Sequence, residues 1–561
     1  VALIPNRLPL ALSSRLASTA ATILSRQGRE YDVAVGGIPF LLGTSTDIPR
    51  TVETIPLRKD QFDAEREPGE QSLTGWWRRS QDSWHEGAGN LYQEARADLT
   101  AQIYSVSMPS YGFYDSMGVD VFTKGQMTLL RQMNQVETGT FSRIRSAGAS
   151  GLSAVSSGAL ATAATKAGPM ANLHAPATTI VDGFVSGANF YDVASDGTLY
   201  AGTVASPGTA TTWPLGSTPS RMEWGKYRLW VIGDNNIWQP DLGLAGGTAQ
   251  SPIFTNPNAG WTYTCIAEGP SAMYFGGHDG RVSSIQAITL ADDGSVPTVS
   301  GAKVTAQLPD DELVQELASL AGQFIGIGTS KGFRVGQIDG NGNLSYGPLL
   351  IAPPGVISCT AITTLEQYFI VSFETASEPA VTYKVDTGTQ LSDGVFAYAK
   401  NVYVGSATGT GAYLTSLATI GDDVLATDNA GAWYAQDSAV LVDTGYLLTG
   451  RIRYRTKEPK LFKYVDLETE PLQGQVVISG LNEVGSSFDV GTIGAGVVSR
   501  FPIPSALGPQ KQLSLQFTLS RDATDDTAGP VVNSFLLRAV PSVAPQRLHT
   551  LPLLCYDKEQ A

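Results

Sequence analysis

Four histidines, His85, His174, His278 and His549, are all that the 561-residue chain offers for imidazole chemistry. A Ser-His-Asp triad needs one of them beside a nucleophile, and none sits in a nucleophile-elbow sequence. His278 precedes the turn pair Asp279-Gly280, and His174 and His549 stand in Pro-flanked, loop-like segments. Asp310-Asp311-Glu312 and Asp422-Asp423 bring carboxylates together. Neighbouring acids in turns are normally solvated, whereas a glycosidase needs two carboxyls held across one bond from separate elements. Asp339-Gly-Asn341-Gly-Asn343 opens like a calcium loop, but Leu344 stands where the sharp turn needs glycine and Leu350 where the bidentate glutamate belongs. A β-turn is expected there. The chain reads as a non-enzyme with no catalytic residue, cofactor or metal.

Three cysteines, Cys265, Cys359 and Cys555, are far apart and lack the paired spacing of a zinc or redox site, so buried thiols are expected. The densest unusual segment is Gly75-Trp76-Trp77-Arg78-Arg79, followed by Trp84-His85. Tryptophan and arginine dominate the buried centres of interfaces, and a guanidinium stacks well on indole. The segment reads either as an interface or as a plug for a local core, and in an assembly protein both can hold.

These residues need elements to hold them. With 60 Gly, 31 Pro and only 16% charged residues, the composition suits many short strands joined by tight turns. The middle of the chain repeats. Leu320 to Val335 reads turn, strand, turn, strand, and Thr419 to Tyr434 does so again with its two glycines at the same separation. Weaker copies mark turns at Gly158, Gly197, Asn236, Gly280 and Pro379, which with Gly332 and Gly431 lie 39 to 52 residues apart. Four short strands need about that length, so the expectation is an all-β fold with a β-propeller of about seven blades over 146–445.

From Tyr446 the texture changes to longer alternating strands, as in Arg451-Ile-Arg-Tyr-Arg and Gln512-Leu-Ser-Leu-Gln-Phe-Thr-Leu, which puts apolar residues on one face. This predicts an antiparallel β-sandwich over 446–542, with 543–561 as a C-terminal arm. Residues 1–145 read as a less regular docking region holding a strand pair around Gly36-Gly37, a charged loop from Arg58 to Glu70 and a short helix over Gly125 to Gln135. The Ala147 to Gly168 stretch reads as a flexible linker or as a faint first blade.

Net charge is −15, with no Lys/Arg stripe to neutralise phosphates, which points away from nucleic acid. No stretch reaches the apolar length of a membrane span, and Leu8 to Leu12 is too short for a signal peptide. No export is expected.

The run Arg58-Lys-Asp-Gln-Phe62-Asp-Ala-Glu-Arg66-Glu-Pro68-Gly69-Glu70, followed by Gly75-Trp76-Trp77-Arg78-Arg79-Ser80-Gln81-Asp-Ser-Trp84-His-Glu-Gly87-Ala88-Gly89, resembles the N-terminal signature of minor tail proteins of siphoviruses, particularly those infecting actinobacteria. Gly118-Val119-Asp120-Val121, the segment to Gln135, and the passage from Tyr454 to Pro471-Leu472 are similar to that family too, and together the resemblance covers about a third of the chain. It implies a structural virion component at or near the tail tip, made in the host cytoplasm. Its partners would be other tail proteins, in a homo-oligomer of threefold or sixfold symmetry. The family supplies no catalytic residues. Phe62, Arg66, Trp76, Trp77, Arg78, Arg79 and Trp84 are the interface candidates. The alternative is a propeller that binds or cleaves cell-envelope glycan through Trp213, Trp238 and Trp433. A third reading is a propeller scaffold of the bacterial cell.

Overall fold

The turns marked by Gly158, Gly197, Gly280 and Gly431 each fall between the second and third strands of one blade's antiparallel sheet, Asn236 and Gly332 open the third strands of two more, and Pro379 lies outside the described residues. The computed structural model describes residues 77–542 apart from 94–95, 98–106, 109–110, 149–150, 291–301, 377–379, 404–411, 455–456, 458 and 495–497, together with three short upstream strands, Thr22–Ile23, Val33–Val35 and Ile38–Phe40. The last two pair across Gly36-Gly37, where a strand pair is expected. The charged loop from Arg58 to Glu70 and the arm from 543 onward lie outside the described residues.

Seven sheets make the propeller. Blade 1 runs from Phe141–Ser146 to Ala171–His174, blade 2 from Ile180–Ser186 to Ser206–Pro214, and blade 3 from Arg221–Gly225 to Phe254–Thr255. Blade 4 runs from Thr262–Glu268 to Lys303–Gln307, blade 5 from Val314–Leu320 to Leu344–Tyr346, and blade 6 from Val356–Leu365 to Val395–Tyr403. Blade 7 has only three strands of its own, Leu414–Ile420, Asp423–Asp428 and Trp433–Leu441. Its fourth is Arg131–Glu137, from upstream of blade 1. Of the two readings of Ala147 to Gly168, the first blade is the one found: Leu152–Ser156 and Ala159–Ala163 pair through the Ser157-Gly158 turn.

The turn glycines also have work between blades. Phe141 N–H donates to the Gly431 carbonyl (3.0 Å), joining blade 7 to the entry of blade 1. Gly431 has φ +84°, and a Cβ there would lie 2.3 Å from the Gly139 carbonyl oxygen, so only glycine fits. Blade 1 is tied to blade 2 the same way, through Ile180 N–H and the Gly158 carbonyl (2.8 Å).

The C-terminal domain is a sandwich of two antiparallel sheets. One holds Ser487–Ile493, Gln475–Leu481, Ser514–Ser520 and Thr444–Leu448, and the other holds Val532–Pro541, Lys460–Thr469 and Val498–Pro502. Alternation decides what faces inward: Leu513, Leu515, Phe517 and Leu519 are buried. Each sheet gains an edge strand from upstream, Asp115–Met117 on the first and Trp77–Gln81 on the second. The strands therefore cross the boundary expected at 145, and residues 77–137 belong to both domains.

The helix expected over Gly125 to Gln135 is absent, for Thr128–Leu129 and Arg131–Glu137 are strands. Met127, Leu129 and Met133 are buried with more exposed residues between them, a period of two instead of 3.6. Pairing with Trp433–Leu441 holds Arg131–Glu137 in the extended form.

Candidate functional site: the propeller axis and the joint

The first strand of every blade is the innermost, and the seven together enclose an axial channel of about 800 Å³. That is within the usual size of small-ligand pockets, roughly 300 to 1,000 Å³. In six blades this strand carries a bulge, as at Ser142/Arg145, Ile180/Asp182, Tyr263/Cys265, Val314/Glu316, Cys359/Ala361 and Leu414/Ser416. Bulges sharpen the local twist and re-aim side chains. At the first of them Arg143 takes φ +52°, a left-handed conformation that costs a non-glycine residue about 1–2 kcal/mol.

Charged side chains meet in the channel. Arg145 donates to Asp182 and to Glu223, both at 2.8 Å, and to the Met222 carbonyl at 2.7 Å. Asp182 is fully buried and also accepts the backbone N–H groups of Gly183 and Met222, each at 2.9 Å. On the other side, Glu316 accepts from Arg221 and lies 3.9 Å from Arg143. The pairing is uneven: one arginine serves two acids, and one acid serves two arginines.

Burial opposes the charge on Arg145, but Asp182 and Glu223 outweigh it and hold the guanidinium above its ordinary value. Burial raises the Glu223 carboxyl against the pull of Arg145. Arg221 is pushed down to about 9 by burial and then by the like charge of Arg143, and stays a cation at neutral pH. At the other end of the inner strands Ser146, Ser186, Ser319, Thr363, Thr364 and Thr419 line the wall.

None of the charged channel residues stood out in the sequence as a site. A signal was present in Phe141-Ser-Arg-Ile-Arg145 and Arg221-Met-Glu223, where charges alternate with residues of a buried strand. The expected buried thiols are found at Cys265 and Cys359, both free, with burial pushing Cys265 up to about 11 and raising Cys359 as well. Cys555 lies outside the described residues. Asp339 forms the expected turn, accepting backbone N–H groups of Asn341 and Asn343. Among the described residues no cluster of three His, Cys, Asp or Glu could hold a metal, and no helix is long and apolar enough to cross a membrane.

The proposed glycan aromatics are elsewhere. Trp213 and Trp238 are buried in the core shared by blades 2 and 3, and Trp433 in the core where blade 7 meets blade 1. The Trp213 indole donates to the Leu244 carbonyl (3.2 Å). A sugar platform needs an exposed ring face, so these three do not form one. Their spacing along the repeat reflects blade packing.

The tryptophan and arginine segment lies at the joint between the domains. Trp76, Phe62 and Arg66 fall outside the described residues. Trp77–Gln81 is the sandwich edge strand, with Arg78 half-buried and Arg79 buried. Trp84 is fully buried in a core that includes Ala397 and Ala399 of blade 6 and the sandwich interior. Its indole N–H has no hydrogen-bond partner among the described residues. Burying about 200 Å² of indole yields roughly 5 kcal/mol, against about 1–3 kcal/mol for the orphaned donor, so packing wins. Arg79 and Trp84 are thus both buried within the chain.

Close approach to blade 6 requires glycine at position 87. Gly87 has φ +80°, and a Cβ would lie 2.6 Å from the backbone nitrogen and oxygen of Tyr398 in blade 6. Ala88 N–H donates to that carbonyl (2.7 Å), and Phe113 N–H donates to Gly87 (3.0 Å). Gly118 N–H adds a second tie, to Asn401 (2.7 Å). Behind them Gln93 donates to Gln81 (2.7 Å) and accepts from Gly450 N–H (3.0 Å) in a buried amide network.

No protein-family model matches the chain, and no curated protein is significantly similar to it. Solved structures similar to it include the β-propeller domain of Cps50 (Swd1) from Myceliophteria thermophila, at 11% identity over 54% of this chain and 99% of that one, with a TM-score of 0.40. Virginiamycin B lyase from Staphylococcus aureus matches at 14% identity over 55% and 98%, with a TM-score of 0.41. YCF48 from Cyanidioschyzon merolae matches at 9% identity over 54% and 98%, also at 0.41. The seven-bladed architecture itself rests on the strand pairings above.

Proposed function

We propose that the chain is a structural minor tail protein of a long-tailed phage, located at or near the tail tip and assembling there with other tail proteins. The observation that carries this reading is the sequence signature from Arg58 to Gly89, which resembles that family and no enzyme motif. Its described part is consistent with a structural role, because Trp77–Gln81, Trp84 and Gly87 fasten sandwich to propeller. A stiff two-domain body suits a part repeated around a tail axis, where one modest interface recurs many times. Fold alone would not select this function, since propellers host many.

The reading assigns the chain no reaction. Cryo-electron microscopy of purified virions tests it, with mass spectrometry of purified tails as a second route. The expected outcome is density for this chain in a ring or trimer at the tip. A chain missing from virions and monodisperse as a monomer in solution would sink the proposal.

A further inference from the structure

We infer that the axial channel is a binding site for a small hydroxylated oxyanion, of the sugar-acid or sugar-phosphate class, held by Arg143 and Arg221. The inference rests on the propeller alone and stands whether or not the chain belongs to a tail.

The uneven pairing in the channel sets up the site. Around Arg145 the acids are in excess, and its guanidinium is already taken up by Asp182, Glu223 and the Met222 carbonyl. Glu316 is shared, one carboxylate facing both Arg143 and Arg221, and the other acid acting on that pair, Asp182, is already engaged by Arg145. Arg143 comes no closer than 3.9 Å to Glu316, and Arg221 Nε is buried without a hydrogen-bond partner among the described residues. An oxyanion placed here meets two guanidiniums with donors to spare, and planar guanidinium forks suit carboxylate and phosphate alike.

The fold keeps the place open. Arg143 is held toward the axis at a bulge in a left-handed backbone conformation, which persists only where the surroundings enforce it. Its side chain keeps 28% exposure, so the charge is reachable. Ser146, Ser186, Ser319, Thr363 and Thr419 are among the residues lining the far end, with the Thr419 hydroxyl donating to the Thr364 carbonyl, and the half-exposed Glu223 carboxylate can accept from a ligand hydroxyl. Burial lowers the Arg143 and Arg221 guanidiniums below their ordinary values, a cost that a bound anion offsets.

Isothermal titration calorimetry of the full chain with glucuronate, glucose 6-phosphate, inorganic phosphate and glucose tests this. Glucuronate or glucose 6-phosphate is expected to bind at least tenfold more tightly than glucose. Arg143→Met is expected to weaken that binding at least tenfold while leaving Glu316 paired with Arg221, so the melting temperature should hardly move. If that variant fails to fold, Ser319→Trp, which fills the channel and leaves every charge in place, is expected to abolish binding. Absence of heat with both sugar anions on folded protein overturns the site, as does unchanged affinity in a folded Arg143→Met or Ser319→Trp variant. Equal affinity for inorganic phosphate and the sugar anions overturns the part given to the hydroxyls.

Discussion

Blades 1 to 6 are each drawn from one uninterrupted stretch of chain, whereas blade 7 and both sandwich sheets are completed by strands from far upstream. The three borrowed strands, Trp77–Gln81, Asp115–Met117 and Arg131–Glu137, follow one another in sequence and go to three different sheets. A contiguous blade holds itself through local hairpins. A borrowed strand pairs segments that lie far apart in sequence. Residues 77–137 thus act as a strap that closes the ring and fixes the second domain to it.

The strongest way to break that comparison is to weaken one borrowed strand and one native outer strand alike. Met133→Ala and Leu344→Ala each remove a buried side chain, and each is expected to cost about 2–5 kcal/mol. Their reach should differ. Hydrogen exchange should quicken across blades 7 and 1 in the first variant and stay near blade 5 in the second. Equally local effects would show that the borrowed strand is not a closure.

A smaller effect is expected at the joint. Gly87→Ala forces a Cβ against the Tyr398 backbone and should cost about 1–3 kcal/mol. Calorimetry should then show the single melt separating into a propeller and a sandwich transition, with blade-to-blade exchange unchanged. An unaltered single melt would mean that the joint does not depend on this contact.

The smallest expected effect is a pH dependence at the same joint. His85 accepts from or donates to Ser83 Oγ (2.8 Å) and stacks on Tyr111, and burial, followed by Lys124, lowers its pKa from 6.5. A histidine with a lowered folded value prefers to fold neutral. Its contribution is therefore present above pH 6.5 and lost as pH falls below it. Wild type should lose slightly more stability than His85→Gln between pH 7 and 5, and parallel melting curves for the two would remove His85 from the account.

Much of this architecture was legible because local chemistry sets it. The turns at Gly158, Gly197, Gly280 and Gly431 mark the blades because each has positive φ between two strands. The sandwich strands show in the alternation of Leu513, Leu515, Phe517 and Leu519. Ser487–Ile493 is harder to read, since its glycine and polar residues leave little apolar pattern at a sheet edge. The borrowed strands could not be read for another reason: nothing within Arg131–Glu137 specifies a partner at Trp433–Leu441. The channel charges were equally hidden, because Arg145, Asp182 and Glu223 come together only when three blades close around one axis.

The borrowed strand of blade 7 also fixes an order of events. Arg131–Glu137 leaves the ribosome well before the Trp433–Leu441 strand that it must pair with exists. Joining ends some 300 residues apart in a flexible chain costs roughly 5 kcal/mol of closure entropy, most of which disappears once the intervening blades have formed. The earliest-made strand of the ring is then the last to dock. During synthesis its apolar residues, Met133 among them, wait without a sheet, and such long-range pairing is slow and exposed to misassembly.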